Sequence, residues 1–500
     1  MSNHFSMLAS EARIVREPIR ADCMPGALLD ELSRSDSPAL LDSTALHEQH
    51  GRYTIAACRP VESLELVDGV LTDGGGNILA DHDNRAIWTA LDQAMSAVTV
   101  VDQPDYVPYA PGWIGYVGYE VGRHVERLPG RAVRDTRIPD MKLALYDALL
   151  VYDAVERSWS LVRLVFEDAP WPGAGTSAEA LRAMLGSAVD SPVDSAPTRT
   201  ERADAAARPL AADARSAFTP QQYCQAVGRC VEYIAAGDIF QVNLSQRFTL
   251  PACPPPLEIY RHLRRRNPAW YAAYLSFSAG GQTCSVLSSS PELFLAVRGG
   301  HVTTRPIKGT RPRSGQPALD AEAKADLLAS PKDNAELAMI IDLLRNDLGR
   351  VCRYGSVRVT DPCRLETHPT VFHLVGTVEG DLYDGVGPVQ LLRATFPGGS
   401  ITGAPKIRAM EIIDELEPTA RGVYTGCIGH VGVNGECTWN IAIRTIVCDG
   451  ESAYVQVGGG IVADSTPQAE YCETLDKARA MLEAIAETQT VSRMHAGDGS

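Results

Sequence analysis

Two stretches of the chain set acidic residues three apart: Asp333 and Glu336 in KDNAELAMIIDLL, and Glu470 and Glu473 in QAEYCETLDKA. On a helix, positions i and i+3 share a face, so each pair can aim two carboxylates at one point. One pair alone means little, because acidic residues recur on solvated helix faces. The two together suit magnesium, which takes one or two direct carboxylates, keeps waters and completes its octahedron with substrate oxygens. A third segment, FPGGSITGAPKIRAMEIIDELEP from Phe396 to Pro418, places a glycine-rich turn directly before a helix. Free backbone N–H groups there, with Lys406 and the helix dipole, favour an anionic group. The spacing of Gly399, Gly403 and Lys406 is not that of a phosphate-binding P-loop. VGGGIVADS, from Val457 to Ser465, ends an expected strand in glycines, which either admit close approach of a ligand or make a tight turn. TGCIGHV, Thr425 to Val431, has the outline of the nucleophile elbow of glutamine amidotransferases, with Cys427 as the thiol. No His-x-Glu follows it, and a core cysteine is the preferred reading.

The elements that must position these residues follow from periodicity and turn chemistry. Up to about residue 166, strand-like runs such as Tyr53 to Cys58 and Leu143 to Ala154 alternate with glycine-rich turns. From about Glu167 to Ser216 the composition shifts to Ala, Pro, Ser, Gly and Asp, which suits a solvated linker with a short helix at Ala178 to Leu185. Thr219 as N-cap and Pro220 at the first helical position start an amphipathic helix running through Ala236. A strand follows at FQVNLSQRFTL, then helices at about Pro331 to Leu348 and Ala404 to Glu415. Strands are expected around Ile441 to Val447 and Tyr454 to Val457, and a last helix over Pro467 to Ile485. The expected domains are 1–166, a linker over 167–216, a second domain over 217–487, and a polar, frayed tail over 488–500.

Hydrophobic residues at 45% and charged residues at 22% are ordinary for a globular protein. The formal net charge of −16 argues against nucleic acid and anionic membranes as partners, so an anionic substrate needs a local cationic pocket. The first twenty residues lack the apolar core of a secretory signal, no stretch approaches a membrane span, and the twelve cysteines include no CxxC pair. Reduced thiols and a cytoplasmic location are the expectation.

Taken in order, AGDIFQVNLSQRF, SSSPELF, RPIKGTRPR, KDNAELAMIIDLLRNDLGRV, VFHLVGTVEG, PGGSITGAPKIRAMEIIDELEP, YTGCIGHV, NIAIRT and GGGIVADS resemble the chorismate-binding enzymes, over about Phe218 to Ala486. That family includes the anthranilate, aminodeoxychorismate, isochorismate and salicylate synthases. The resemblance implies an α+β fold of two large, mostly antiparallel sheets packed face to face with helices outside, both halves of the chain contributing. It implies Mg2+ held directly by Glu336 and Glu473, with Asp333 and Glu470 acting mainly through water. Tyr424, Arg444 and the amides of Gly458, Gly459 and Gly460 would hold the pyruvyl carboxylate, with Thr402 and Lys406 as weaker pocket candidates. Glu292, which read alone after Pro291 would be a surface turn residue, becomes the general acid that protonates the departing ring hydroxyl. That role needs a raised pKa.

Two positions discriminate within the family. Gln241 stands where isochorismate and salicylate synthases carry a water-activating lysine, which points to ammonia as nucleophile. PIKGT, Pro306 to Thr310, places Lys308 where aminodeoxychorismate synthases keep a reactive lysine and anthranilate synthases usually read PIAGT. A neutral Lys308 could add to the ring, with Arg305 and Arg311 supplying positive potential; the plainer reading is a lysine that pairs with an acid or with substrate. His373 matches a family histidine linked in anthranilate synthase to pyruvate elimination and does not discriminate. The resemblance thus implies chorismate plus ammonia giving 4-amino-4-deoxychorismate for p-aminobenzoate and folate, with ammonia coming from a glutamine amidotransferase subunit. The rivals are anthranilate synthase chemistry and a catalytically silent binding subunit. Ala39 to Tyr53 resembles a tryptophan-binding region, with LLDS where regulated synthases often read LLES, and strong regulation by tryptophan is not expected.

Overall fold

In the computed structural model, residues 10–45, 47, 50–167, 175–188 and 213–497 are described, with side chains to 490. Two sheets carry the fold, one of thirteen strands and one of twelve. The first runs, by neighbours, Arg215–Ser216, Gln241–Pro251, Ser452–Ile461, Thr445–Cys448, Gln282–Ser290, Tyr271–Ala279, Ala39–Asp42, Tyr53–Ala57, Ala148–Asp153, Ser158–Phe166, Ser10–Ile19 and Val98–Asp102, with Gly403–Ala404 beside Gln241–Pro251. The second runs Ile307–Pro312, Val371–Asp381, His301–Arg305, Leu293–Arg298, Cys437–Asn440, Cys427–Gly432, Gly112–Val117, Met141–Tyr146, Glu62–Val67, Val70–Asp73 and Ile78–Asp81, with Arg358–Thr367 beside Val371–Asp381. Both therefore interleave early and late parts of the chain, as the resemblance implied. Pairing in both sheets is antiparallel apart from Ser10–Ile19 with Val98–Asp102.

Alternation along the strands sorts side chains between faces. Leu149 and Val151 join the core shared with Trp113, Tyr116 and Leu295 of the second sheet, whereas Leu150 and Tyr152 pack outward. Leu181 and Leu185, Ile259 and Leu263, and Met481 and Ile485 cover that outer face from helices Thr176–Ala188, Pro256–Arg266 and Pro467–Gly497. The helix Thr176–Ala188 lies in the stretch read as linker, of which residues 168–174 and 189–212 fall outside those described.

Thr219 caps helix Pro220–Ala235 in a reciprocal capping box with Gln222. Other boundaries differ from expectation. The run from Leu143 to Ala154 breaks at Asp147, where the chain passes from one sheet to the other and the Asp147 carboxylate accepts from Gly175 N at 2.7 Å. The run expected from Ile441 to Val447 also breaks: Cys437–Asn440 belongs to the second sheet and Thr445–Cys448 to the first. The last helix continues past Ile485 to Gly497, because Arg266 reaches across to Glu483 at 3.0 Å and to Glu487, and Thr488 is buried. A frayed tail from 488 is therefore corrected up to 497.

Between its short neighbours Gly403–Ala404 and Arg215–Ser216, the edge of strand Gln241–Pro251 faces no strand. Side chains fill the gap: Glu417 accepts from both N and Oγ of Ser245 at 2.8 Å, and Arg421 donates to the Asn243 carbonyl at 2.6 Å. Glu417 and Arg421 pair at 2.7 Å, each almost fully buried. No helix among the described residues is long and apolar enough to cross a membrane.

Candidate active site

Glu292 and Arg444 both sit where the chain crosses between the sheets. Pro291 and Glu292 join Gln282–Ser290 to Leu293–Arg298, and Ile441 to Arg444 join Cys437–Asn440 to Thr445–Cys448. The crossings run side by side, with Ile441 N donating to Glu292 O and Ser289 N to Arg444 O, both at 3.0 Å. Arg444 adopts φ +53°, and Thr425 nearby φ +62°, a strained backbone for a side chain branched at Cβ. Glu292 is 4% exposed, so the surface-turn reading is wrong. Burial pushes its carboxyl up to about 7, against a hydrogen bond from Ser400 Oγ at 2.6 Å, the charge of Lys308 and the Ile307 amide.

Lys308 comes from strand Ile307–Pro312, paired with Val371–Asp381. The register slips between Lys308 and Thr310, where Gly309 takes φ +67°. A glycine in the left-handed region at a bulge re-aims the neighbouring side chain. The Lys308 side chain is 11% exposed and its Nζ lies 4.0 Å from Glu336 Oε2. Burial lowers its pKa and Lys477 adds to that, while Glu336, Glu292 and Glu473 oppose. Thr310 Oγ1 meets His373 Nδ1 at 2.9 Å; His373 is buried edge-on against His368, and burial takes its pKa down to about 3. Arg305 is neutralised by Glu366, and Arg311 by Asp326 and by Asp333 at 3.2 Å. Arg305 therefore brings no free charge to the site, and Arg311 reaches it only through Asp333.

The two acidic helices, Pro331–Gly349 and Pro467–Gly497, face each other across this point. Burial raises the pKa of Glu336 and Glu470, with Asp333 and Glu470 adding for the first and Glu473 for the second. Glu473 stays low, because Lys477 at 2.7 Å outweighs burial with help from Lys332 and Lys308. Lys477 Nζ also donates to Gly458 O at 2.8 Å, Ser465 Oγ to Glu470 at 2.6 Å, and Lys332 lies 3.9 Å from Glu470. Lys477 and Lys332 were not singled out from the sequence, although Lys477 stands four residues after Glu473 on the same helical face. Among the described residues no three His, Cys, Asp or Glu side chains close tightly enough to hold a metal ion. The all-carboxylate donor set, with two members pushed toward protonation chiefly by burial, nevertheless has the chemistry magnesium needs.

Gly458 to Gly460 lie in strand Ser452–Ile461, opposite Ser245, Leu244 and Asn243. Asn243 N and Ser245 N bond on the far side of their strand, so Leu244 is the residue facing Gly459 in the ladder. The amide of Gly459 is thus used, whereas Gly458 and Gly460 present theirs to an edge left open because strand Thr445–Cys448 pairs no further than Val455. A Cβ at Gly459 would sit 3.2 Å from Glu470 and 3.5 Å from Glu473, so only glycine leaves that space. Arg444, whose charge burial disfavours and Tyr424 and Glu473 restore, donates to Lys477 O at 3.2 Å. Burial raises the Tyr424 hydroxyl pKa. Two candidates are not brought in as expected: Thr402 donates its hydroxyl to Gly398 O at 3.0 Å, and Lys406 is locked onto Asp347 at 2.6 Å and Thr395 O at 2.9 Å. Cys427 is fully buried with its thiol pKa pushed well up, as a core cysteine should be.

A separate cavity lies at the segment likened to a tryptophan site, lined in part by Ser43, His50, Tyr53, Trp270 and Asn440. Its Asp42 carboxylate is already met by Arg264 at 2.7 Å, Tyr260 at 3.1 Å and Thr54 at 3.2 Å.

A family model for chorismate binding enzymes matches residues 43–483, and the chain belongs to that family. It is 38% identical over 438 residues to aminodeoxychorismate synthase component 1 of Bacillus subtilis, covering 87% of this chain and 89% of that protein. It is also 38% identical to anthranilate synthase component 1 of Cereibacter sphaeroides, covering 98% of each. Among solved structures, anthranilate synthase component I from Streptococcus pneumoniae superposes with a TM-score of 0.70 at 33% identity, over 87% of this chain and 93% of that one.

Proposed function

We propose that this chain converts chorismate and ammonia into 4-amino-4-deoxychorismate and water. The observation that carries the reading is the amine of Lys308, buried beside Glu336 with its pKa lowered. Glu292 gives its proton to the ring hydroxyl as it leaves C4 while the neutral Lys308 amine adds at C2. Ammonia then forms the new bond at C4 and expels Lys308 from C2, and the carboxylate of Glu292 takes back a proton from the attached nitrogen. Arg444, Tyr424 and the free amides of Gly458 and Gly460 orient the pyruvyl carboxylate. Magnesium, held by Glu336 and Glu473 with Glu470 and Asp333 around them, would neutralise the ring carboxylate and release Lys477 from Glu473. A glutamine amidotransferase subunit would deliver ammonia, since Cys427 is a core thiol.

The relatives divide between two products, so product identity is the deciding test. Purified chain with chorismate, magnesium and ammonium salt should give 4-amino-4-deoxychorismate by mass and chromatography. Anthranilate would replace this reading with its rival, isochorismate would refute the argument from Gln241, and no turnover would favour a silent subunit. Because Asp42 is already engaged, tryptophan at millimolar concentration should leave the rate unchanged; inhibition would reverse that expectation.

A further inference from the structure

Lys406, which the sequence marks for an anion, is held by the protein itself at both of its contacts. Its Nζ donates to Thr395 O at 2.9 Å and to Asp347 Oδ2 at 2.6 Å. The first bond ties residue 406 back to residue 395 and closes the neck of the loop between them; the second fastens that neck to helix Pro331–Gly349. Asp347 is 1% exposed and its Oδ1 has no hydrogen-bond partner, so Lys406 is the only donor to this carboxylate among the described residues. A buried ion pair is weak evidence for stability, because burying both charges costs about what their attraction returns. Its use is then to be sought in what it positions.

Ser400 lies inside the closed loop and donates to Glu292 Oε1 at 2.6 Å. Gly399, beside it, runs so close to the helix that a Cβ there would meet Leu343 Cδ2 at 2.5 Å, and Thr402 braces the turn from within through Gly398 O at 3.0 Å. Glu336, Ile340, Leu343 and Asp347 fall at i, i+4, i+7 and i+11 of that helix, a single stripe about 16 Å long. One end of the stripe carries the carboxylate beside Lys308, and the other carries the anchor of the loop whose serine touches Glu292. We infer that Lys406 and Asp347 are positioning residues: they seat the Ser400 loop on the acidic helix and so hold Glu292 in place relative to the amine and the carboxylates it works beside. The inference rests on the reaction proposed above, in which Glu292 is the general acid. Glu292 otherwise faces Lys308 and the Ile307 amide, and neither belongs to the loop, so a change confined to the brace reaches the acid through Ser400.

The test is the pH dependence of turnover by the whole chain with chorismate, magnesium and ammonium chloride. Lys406→Met alone strands the Asp347 carboxylate, whereas the double variant Lys406→Met with Asp347→Leu removes both charges together, which a buried pair tolerates far better. Without the brace Ser400 loosens from Glu292, and the bond that favours the carboxylate weakens. The double variant should therefore move the alkaline limb up by about half a pH unit and lower kcat about tenfold, with KM for chorismate within about twofold of the parent. Made in a Ser400→Ala background, the same two changes should shift the limb no further, because both act through one bond. A limb that stays put in the double variant, or that shifts equally with and without Ser400, overturns the positioning role and leaves the pair to packing. If the parent forms a product other than 4-amino-4-deoxychorismate, the reaction proposed above is wrong, and the limb read on that product still decides the brace. A parent with no turnover overturns both.

Discussion

Ser400 donates its hydroxyl proton to Oε1 of Glu292 at 2.6 Å, with both side chains buried. The bond favours the carboxylate, so it opposes the burial that pushes this acid up to about 7. Ser400→Ala removes that opposition and must raise the pKa further. A general acid works while protonated, so the alkaline limb of the pH–turnover profile should move to higher pH. A limb that stays in place or moves down would separate Glu292 from the rate-limiting proton transfer.

Lys308 can act as a nucleophile only as the free amine, which its burial favours over the opposing charge of Glu336. Lys308→Arg keeps a cation that cannot lose its proton, and Lys308→Ala keeps nothing. Both should drop formation of 4-amino-4-deoxychorismate to background. Turnover by the Arg variant at the parent's rate would assign position 308 to charge pairing alone.

Magnesium should stabilise the folded chain and support turnover together, because a cation offsets the burial, and the lesser carboxylate repulsion, that raise Glu336 and Glu470. Glu336→Gln or Glu473→Gln should raise the magnesium needed for half-maximal rate by at least about tenfold, about 1.4 kcal/mol, and should blunt the magnesium-induced rise in melting temperature. A melting temperature indifferent to magnesium and to chelator in the parent protein would place no metal at these helices.

Glu417 and Arg421 stand in for a missing strand beside Asn243 and Ser245. Glu417→Ala leaves a buried guanidinium uncompensated, at about 3–5 kcal/mol. Denaturant titration should register that loss. A stability change under about 1 kcal/mol would mean that the gap closes without the pair.

Local chemistry made much of this legible in advance. The N-cap at Thr219 and the helix from Pro331 announce themselves by residue type at fixed spacing, whereas the strand expected to end at the glycines runs on through Gly458 to Gly460 as far as Ile461. The crossings at Asp147 and at Ile441 to Arg444 do not, because each apolar run continues unbroken in sequence while its two ends pair in different sheets. Ser400 was missed for a related reason, its partner Glu292 lying far along the chain, whereas Lys477 was passed over although its place four residues after Glu473 was readable. Lys406 shows the reverse error, since a lysine after a glycine-rich turn suggests an anion but Asp347 takes it first.

Interleaving has a consequence during synthesis. Strand Ala39–Asp42, already beside Tyr53–Ala57, must wait for Tyr271–Ala279, and Gly112–Val117, already beside Met141–Tyr146, for Cys427–Gly432, before either finds its second neighbour. A ribosome adding roughly 5–20 residues per second would hold those apolar edges unpaired for tens of seconds. The nascent chain is thus exposed to chaperones and proteases for most of its birth, and a premature stop before residue 427 should yield an aggregate rather than a smaller working enzyme.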